Sequence, residues 1–391
     1  MSTRLSRFRA LMARLEPASD PAEAVSEGLY VERGRYSPAH RLAERMALKP
    51  DAALLLVGGI GSGKTTELRV VEQRLSAFED MVAIYVDVSR YHDLADLKAG
   101  ALLAAAGLGL ERWTQLLGAQ ESFRKWAYEY RGPPLTLGDI LGQPKGVQVR
   151  SGLLTDPDRL SIHTRELITE LQDAVNVATG GDRKVLFIFD SLDRLTDPTE
   201  FTKVIDQDLR ALKSAGHGVI LTGPSALLYG KNRELLSHFD HFETQPYVDV
   251  KEDMEATAFL HRILRRRADE SLLGDDEIDA LVDWSGGVVR DLIALTQSSV
   301  QEAYFAGNER VTTVDVLRAA GDFGRTHMLG LGRDDVALLQ NVRSTGALNS
   351  YTDAALALLT SRRILEYRSD RPRHVVHPTL VPFLERLAKA S

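Results

Sequence analysis

The chain of 391 residues contains no cysteine. That absence excludes disulfides, thiolate zinc centres and cysteine nucleophiles together, and it suits a reducing, cytoplasmic setting. No apolar run reaches the ~18 residues of a membrane-spanning helix. Positive charge is not in excess either: 48 Lys and Arg stand against 55 Asp and Glu, a formal net charge of -7. Nothing global therefore draws the chain to a polyanion or an anionic membrane, although one basic face stays compatible with that balance. Internal repeats and low-complexity tracts are lacking, which sets aside solenoids and disordered linkers. What is present, 44% hydrophobic and 26% charged residues, is the composition of a globular chain with room for two or three packed domains. Near the start, Leu5, Phe8, Leu11, Met12 and Leu15 recur at helical spacing opposite a set of arginines. This amphipathic basic helix lacks the apolar stretch of a secretion signal, and its expected role is packing on a neighbouring domain or a partner.

Short apolar runs ended by turn or charged residues alternate with helical patterns, which predicts a parallel sheet flanked by helices. Strands are expected at 52–57, 81–86, 185–189, 218–222 and 241–248. A helix over 64–78 carries Leu68, Val71, Leu75 and Phe78 as the stripe that lies on the sheet. About ninety residues separate the second and third strands, with helical stretches over 94–108, 111–130 and 161–178. Segment 131–158 is rich in Gly and Pro and reads as a loop or lid. After 248 the pattern is helical, over 251–268, 275–284, 288–306 and 313–320, the last with Thr312 or Thr313 as N-cap. From 333 onward come short helices, then two strand-like pieces joined by a turn, the succession of a winged helix. The expected organisation is an N-terminal helical segment (1–50), an α/β core of three layers (51–250) with an insertion at about 90–180, a helical lid (251–323), and a small winged-helix-like domain (324–391).

Gly58-Gly59-Ile60-Gly61-Ser62-Gly63-Lys64-Thr65 fits G-x-x-x-x-G-K-[ST], between a strand and a helix. Glycines at that spacing let the N–H groups of Gly59, Ile60, Gly61, Ser62 and Gly63 close around a polyphosphate. Lys64 reaches its terminal phosphates, the Thr65 hydroxyl ligates Mg2+, and Thr66 completes the binding run. ATP with Mg2+ is the cofactor pair this motif predicts. In "KVLFIFDSLDRL", Asp190 ends an apolar strand beside that loop in the expected topology, where a carboxylate holds the metal through water. His374 and His377 stand as H-x-x-H on an expected strand, on opposite faces, which argues against a shared metal.

The combination resembles an AAA+ or closely allied STAND-type P-loop ATPase over roughly residues 30–320, with the winged-helix-like tail extending the likeness. By that resemblance Thr222, ending "VILTGP", is the sensor 1 residue. "DWSGGVVRDLIALT" is similar to the sensor 2 signature and puts Arg290 over the phosphates, behind Gly286 and Gly287. "LYVERGRYSP" resembles the segment that packs on adenine, making Tyr30 and Val31 its candidates. Many AAA+ motors carry a glutamate directly after the magnesium aspartate, whereas Ser191 stands here and the next acid is Asp193. The spacing D-S-L-D-R resembles the D-x-x-D form of STAND and KAP-type relatives, with Asp193 orienting water if the chain curls back. A serine cannot act as base near pH 7, so slow turnover is expected, which suits a switch better than a motor. Arg210 and Arg233 are candidates for an arginine finger offered to a neighbouring subunit.

Two functions fit these residues. One is a regulatory ATPase whose nucleotide state controls homo- or hetero-oligomer assembly or licenses a partner protein; the resemblance associates such chains with anti-phage defence or mobile-element systems. The other is a DNA-directed ATPase, similar to origin-recognition proteins or transposition regulators, that uses the winged helix on DNA. For it speak Arg362, Arg363, Arg368, Arg371 and Arg373 around the tail, and the basic run 262–267. Against it, "YTDAALALLTSRR" offers Asp353 and alanines where a base reader needs Arg, Asn, Gln or Lys. A kinase would need an acceptor pocket that no segment suggests.

Overall fold

The computed structural model describes residues 3–16, 21–33, 37–94, 97, 99–114, 157–195, 201–202, 204–368 and 372–390. Most of the helix expected over 111–130, the Gly- and Pro-rich segment up to residue 156, and Arg371 lie outside the described residues. Five strands make one sheet: β1 (Ala53–Gly58), β2 (Met81–Asp87), β3 (Lys184–Asp190), β4 (Gly218–Gly223) and β5 (His241–Gln245), in the order β2-β3-β4-β1-β5. β1 pairs with β4, β4 with β3 and β3 with β2, all parallel. Such strands are buried on both faces, which is why they read as unbroken apolar runs; residues 53 to 57 have no exposed surface at all. The registers Val57↔Gly223, Leu221↔Phe189 and Asp87↔Asp190 bring the carboxyl ends of four strands to one edge. From β1 the chain crosses to the far side of the sheet and returns strand by strand, the connectivity that leaves a ligand crevice at the carboxyl edge. The fold class is therefore α/β with a P-loop core.

The chain divides into two compact units. One, Pro38–Val57 with Leu68–Glu243, holds the sheet. Its core joins the sheet residues Phe187, Phe189 and Leu221 to Leu102 and Leu171 of the helices Ala101–Thr114 and Pro157–Thr179. The other, Met1–Ser37, Gly58–Glu67 and Thr244–Ser391, is mostly helical. Four helices dominate it: Met254–Arg265, Asp275–Ser285, Val289–Phe305 and Thr313–Met328. The last begins at a capping box in which Thr312 and Asp315 satisfy each other's backbone, and it runs a further two turns past the expected end at 320. The N-terminal helix Arg4–Arg14 buries Phe8 and Leu11. Its Arg4 donates to the carbonyls of Ala303, Tyr304 and Asn308, satisfying the last turn of Val289–Phe305. The tail follows as helices Arg333–Thr345 and Asp353–Thr360, an antiparallel pair β6 (Ile364–Arg368) and β7 (Pro372–Val376), and a helix Val381–Ala390. That is the expected winged-helix succession. Among the described residues no helix is long and apolar enough to cross a membrane.

Candidate functional site

The glycine loop belongs to the mostly helical unit. The chain leaves β1 at Gly58 and turns through Gly61 (φ +87°) and Gly63 (φ +97°), left-handed backbone that side chains resist, before Lys64 opens the helix Lys64–Leu75. Five consecutive carbonyls are each held by a donor. Lys64 Nζ lies 2.9 Å from the oxygens of both Gly58 and Gly59. The Tyr247 hydroxyl donates to Ile60 at 3.1 Å, and the Arg290 N–H donates to Gly61 at 3.1 Å. Arg33 Nη2 and Gln245 Nε2 converge on Ser62, both at 2.8 Å. In a planar trans peptide the C=O and the following N–H point opposite ways, so carbonyls tied into the frame turn the N–H groups of Gly59, Ile60, Gly61 and Gly63 to the other side of the loop, while the Ser62 N–H turns in to Gly59 O at 3.2 Å. Such a run of N–H groups is an anion-binding nest. Close approach, as well as φ, demands the glycines: a Cβ on Gly59 would lie 2.1 Å from the Tyr247 hydroxyl oxygen, and one on Gly61 would lie 2.9 Å from Arg290 Cβ.

Beside the loop is a pocket of about 80 Å³, lined by Tyr30, Val31 and Arg33, by Ser62, Gly63, Thr66 and Glu67, and by Gln245, Phe259, Val289 and Ile293 among others. Tyr30 and Val31, matched to an adenine-packing segment, thus share a cavity with the loop. Glu67 is buried and accepts from the Ser37 hydroxyl at 2.6 Å, with the Tyr30 hydroxyl at 3.4 Å. The Arg33 guanidinium lies over the Phe259 ring at 5.0 Å. Burial pulls its pKa below the usual arginine value, against the pull of Glu67 and Tyr30. Ser62 Oγ and Gln245 Oε1 are buried with no hydrogen-bond partner among the described residues, polar atoms that a ligand in this pocket would satisfy. Arg33, Glu67, Gln245 and Tyr247 had no motif to announce them. The one available signal was the position of Gln245 and Tyr247 at the end of β5, the strand next to β1.

Asp190 and Thr222 belong to the sheet unit. Asp190 is buried and both its oxygens are engaged: Oδ1 accepts from the Ser191 N–H and Oδ2 from the Tyr85 hydroxyl, each at 2.7 Å. Burial, and then the negative Asp190, push the Tyr85 pKa well above its ordinary value, so this phenol stays protonated as a donor. A carboxylate has about four lone-pair sites, and two bonds leave capacity for a metal-bound water. Ser191 adopts φ +76°, unusual for a residue with a side chain, and its hydroxyl donates to Asp87 Oδ1 at 2.7 Å. Burial alone would raise the Asp87 pKa. The bonds from Ser89 and Ser191, with Arg90 nearby, bring it below the usual carboxylate value instead. The chain does curl back, in a one-turn 3-10 helix Leu192–Arg194 that holds Asp193. Thr222 Oγ1 accepts from the Leu192 N–H at 3.1 Å and so anchors that turn.

The tail arginines offered for DNA are tied internally. Arg362 Nε donates to the buried Asp291 at 2.9 Å; Arg363 donates to the carbonyls of His327 and Leu329; Arg368 pairs with Glu366; and Arg373 pairs with Asp249. Arg265, Arg266 and Arg267 of the basic run bond the carbonyls of Leu273, Gly28 and Leu29. Arg210 pairs with Asp206 one turn away, and the side chain of Arg233 lies outside the described residues. His377 is not a strand residue: it follows β7 and caps the turn Pro378–Leu380, whereas His374 lies within β7. Among the described residues no group of three or more His, Asp or Glu side chains is placed to hold a metal.

The glycine loop at the end of β1 and the parallel sheet are those of a P-loop α/β fold. No protein-family model and no curated protein matches the chain. Solved structures with a similar arrangement include Orc1 of Aeropyrum pernix in complex with DNA, 16% identical with a TM-score of 0.48, covering 97% of this chain and 98% of that one. Cdc6p of Pyrobaculum aerophilum is 13% identical, TM-score 0.44, over the same shares. The RuvB Holliday junction branch migration motor of Thermotoga maritima is 13% identical, TM-score 0.41, covering 88% of this chain and 94% of that one. Likeness at this level assigns no activity.

Proposed function

We propose that the chain binds ATP with Mg2+ and acts as a slowly hydrolysing, nucleotide-dependent switch whose output is the C-terminal tail and the protein subunit or effector it engages. The observation that carries this is the glycine loop, with its carbonyls tied into the frame while the first turn of the Val289–Phe305 helix donates through Arg290 to Gly61. Loop N–H groups and Lys64 bind the phosphates, Thr65 and Asp190 are the groups for the metal, and Tyr30 and Val31 face the base. The metal, when bound, neutralises phosphate charge. Arg290 and Thr222 report the terminal phosphate, and Asp193 orients the water. Ser191 in place of a glutamate supports slow turnover.

The DNA-directed alternative keeps the same nucleotide site and differs in the partner. It draws on the tail arginines, of which Arg368 and Arg373 retain partly exposed side chains. Two measurements decide. Titration with a fluorescent ATP analogue should give saturable binding that Lys64→Ala abolishes; binding that survives this change removes the site. Duplex DNA titrated at two salt concentrations should show no affinity at moderate salt, whereas tight binding with a steep salt slope moves the conclusion to the DNA-directed ATPase.

A further inference from the structure

Between the glycine loop and the tail sits a small apolar cluster of Tyr247, Val288, Leu365 and Tyr367, all buried, with Val375 packed against it. One side of it is the loop. The Tyr247 ring lies so close to Gly59 that a Cβ there would stand 2.2 Å from its Cζ, Val288 Cγ1 is 3.2 Å from the corresponding point on Gly61, and the Tyr247 hydroxyl holds Ile60 O. The other side is the tail's own strand, because Leu365 and Tyr367 belong to β6. The Tyr367 hydroxyl also donates to Gly286 O at 2.7 Å, fixing the turn that precedes Arg290. No described residue of β6 lines the pocket.

We infer that Tyr247 is a positioning residue for the nucleotide, and that the tail braces the phosphate loop through it, so that displacing the wing strand changes nucleotide affinity. This rests on the nucleotide site proposed above and adds its regulation. A ring this close to glycine backbone is constrained by it, and close-packed apolar clusters have few alternative arrangements. Whatever holds Gly59 to Gly61 in place therefore seats Tyr247, and the cluster it shares with Val288 and Leu365 carries that constraint to the tail. By thermodynamic reciprocity, a partner that pulls on the wing alters nucleotide affinity by the factor with which nucleotide alters partner affinity.

The test is a fluorescent-nucleotide titration of wild type, Tyr247→Phe, Leu365→Ala and the double variant, with melting temperature and sites per chain measured on each. Tyr247→Phe, which loses one hydrogen bond and keeps the ring, should weaken binding about 2- to 10-fold. Leu365→Ala should weaken it although it lines no part of the pocket, and the double variant should lose less than the product of the two single factors. Leu365→Met, which conserves volume, should restore wild-type affinity and keeps the test open should the Ala variant fold poorly. A merely structural defect lowers the number of sites per chain and not the Kd of those remaining. Wild-type Kd in Leu365→Ala, or factors that simply multiply, overturns the inference while leaving the nucleotide site standing. Absence of binding by wild type overturns the site and the inference with it.

Discussion

Asp291 and Arg362 give the sharpest quantitative expectation. Asp291 follows Arg290 in the first turn of Val289–Phe305, where its charge also suits the helix dipole, and its side chain is 1% exposed. Arg362 Nε lies 2.9 Å from Oδ2 with its own side chain 18% exposed, and His377 Nε2 stands 3.5 Å from the same oxygen. His377 Nδ1 faces Thr379, 2.8 Å from its hydroxyl oxygen and accepting from its N–H at 3.4 Å, which leaves Nε2 on the side of Asp291. Removing one partner of a buried pair costs about 3–5 kcal/mol, because the other charge is left uncompensated. Arg362→Met should fall at the upper end, since it strands the more deeply buried partner. Asp291→Asn should fall near the lower end, as Arg362 keeps some solvent. Arg362 has φ +60°, but Met carries the same left-handed cost as Arg, so the backbone contribution cancels. Against the ~5–15 kcal/mol total of an ordinary domain either loss is large. The double variant Asp291→Leu, Arg362→Met, which replaces the pair with apolar volume, should recover most of it. Urea unfolding followed by circular dichroism, with m-values compared, measures all three. A cost under about 1 kcal/mol for Arg362→Met, the size of a surface pair, would refute the docking of the tail on this helix.

Three further outcomes are expected. Burial pushes the Asp208 carboxyl up to about 7, despite bonds from the N–H groups of Gly100, Leu102 and Leu103. The folded chain then holds this proton between about pH 4 and 7 while the unfolded chain has lost it, so stability should fall as pH rises through that window. Urea midpoints at pH 5 and 8 should show the decline, and Asp208→Asn should flatten it; an unchanged slope would assign the decline elsewhere. Asp193→Asn should slow phosphate release with nucleotide affinity unaltered, and full turnover in that variant would mean another group orients the water. Ser191→Glu should not accelerate hydrolysis, checked by the same phosphate-release assay, and a gain of tenfold or more would contradict the arrangement around Asp87.

Much of the fold was legible because β1 to β4 are buried on both faces, leaving apolar runs whose ends at Gly58, Asp190 and Gly223 stand within a residue or two of those expected; β5, with His241 and Phe242 exposed, ends at Gln245, short of the expected 248. The helix Thr313–Met328 outran its expected end because it continues through Gly321 and Gly324, residues that usually lower helix propensity. Gly324 is there for space: a Cβ would lie 2.3 Å from Thr379 O, a contact with the tail that no local pattern encodes. At the site, the loop was legible because its glycines are a local requirement of its own backbone. Tyr247, Gln245 and Arg33 were not, since they reach the loop from segments nearly two hundred residues downstream or about thirty upstream. The internal partners of the tail arginines were hidden for a related reason: sequence shows their charge and not the carboxylates and carbonyls they meet.

The exchange of a glutamate for Ser191 is not an isolated change. Its hydroxyl is committed to Asp87, the residue in register with Asp190 on the neighbouring strand, and its left-handed backbone sets the turn that Thr222 anchors through Leu192. A glutamate at 191 would lose the donor that helps hold Asp87 ionised, and it would add a third carboxylate beside Asp87 and Asp190, where like charges at short range raise one another's pKa. Asp87, Ser191 and Thr222 are thus matched to one another. Placing a glutamate at 191 would therefore call for neutralising Asp87 as well, so the chemistry of this edge is set by several positions at once.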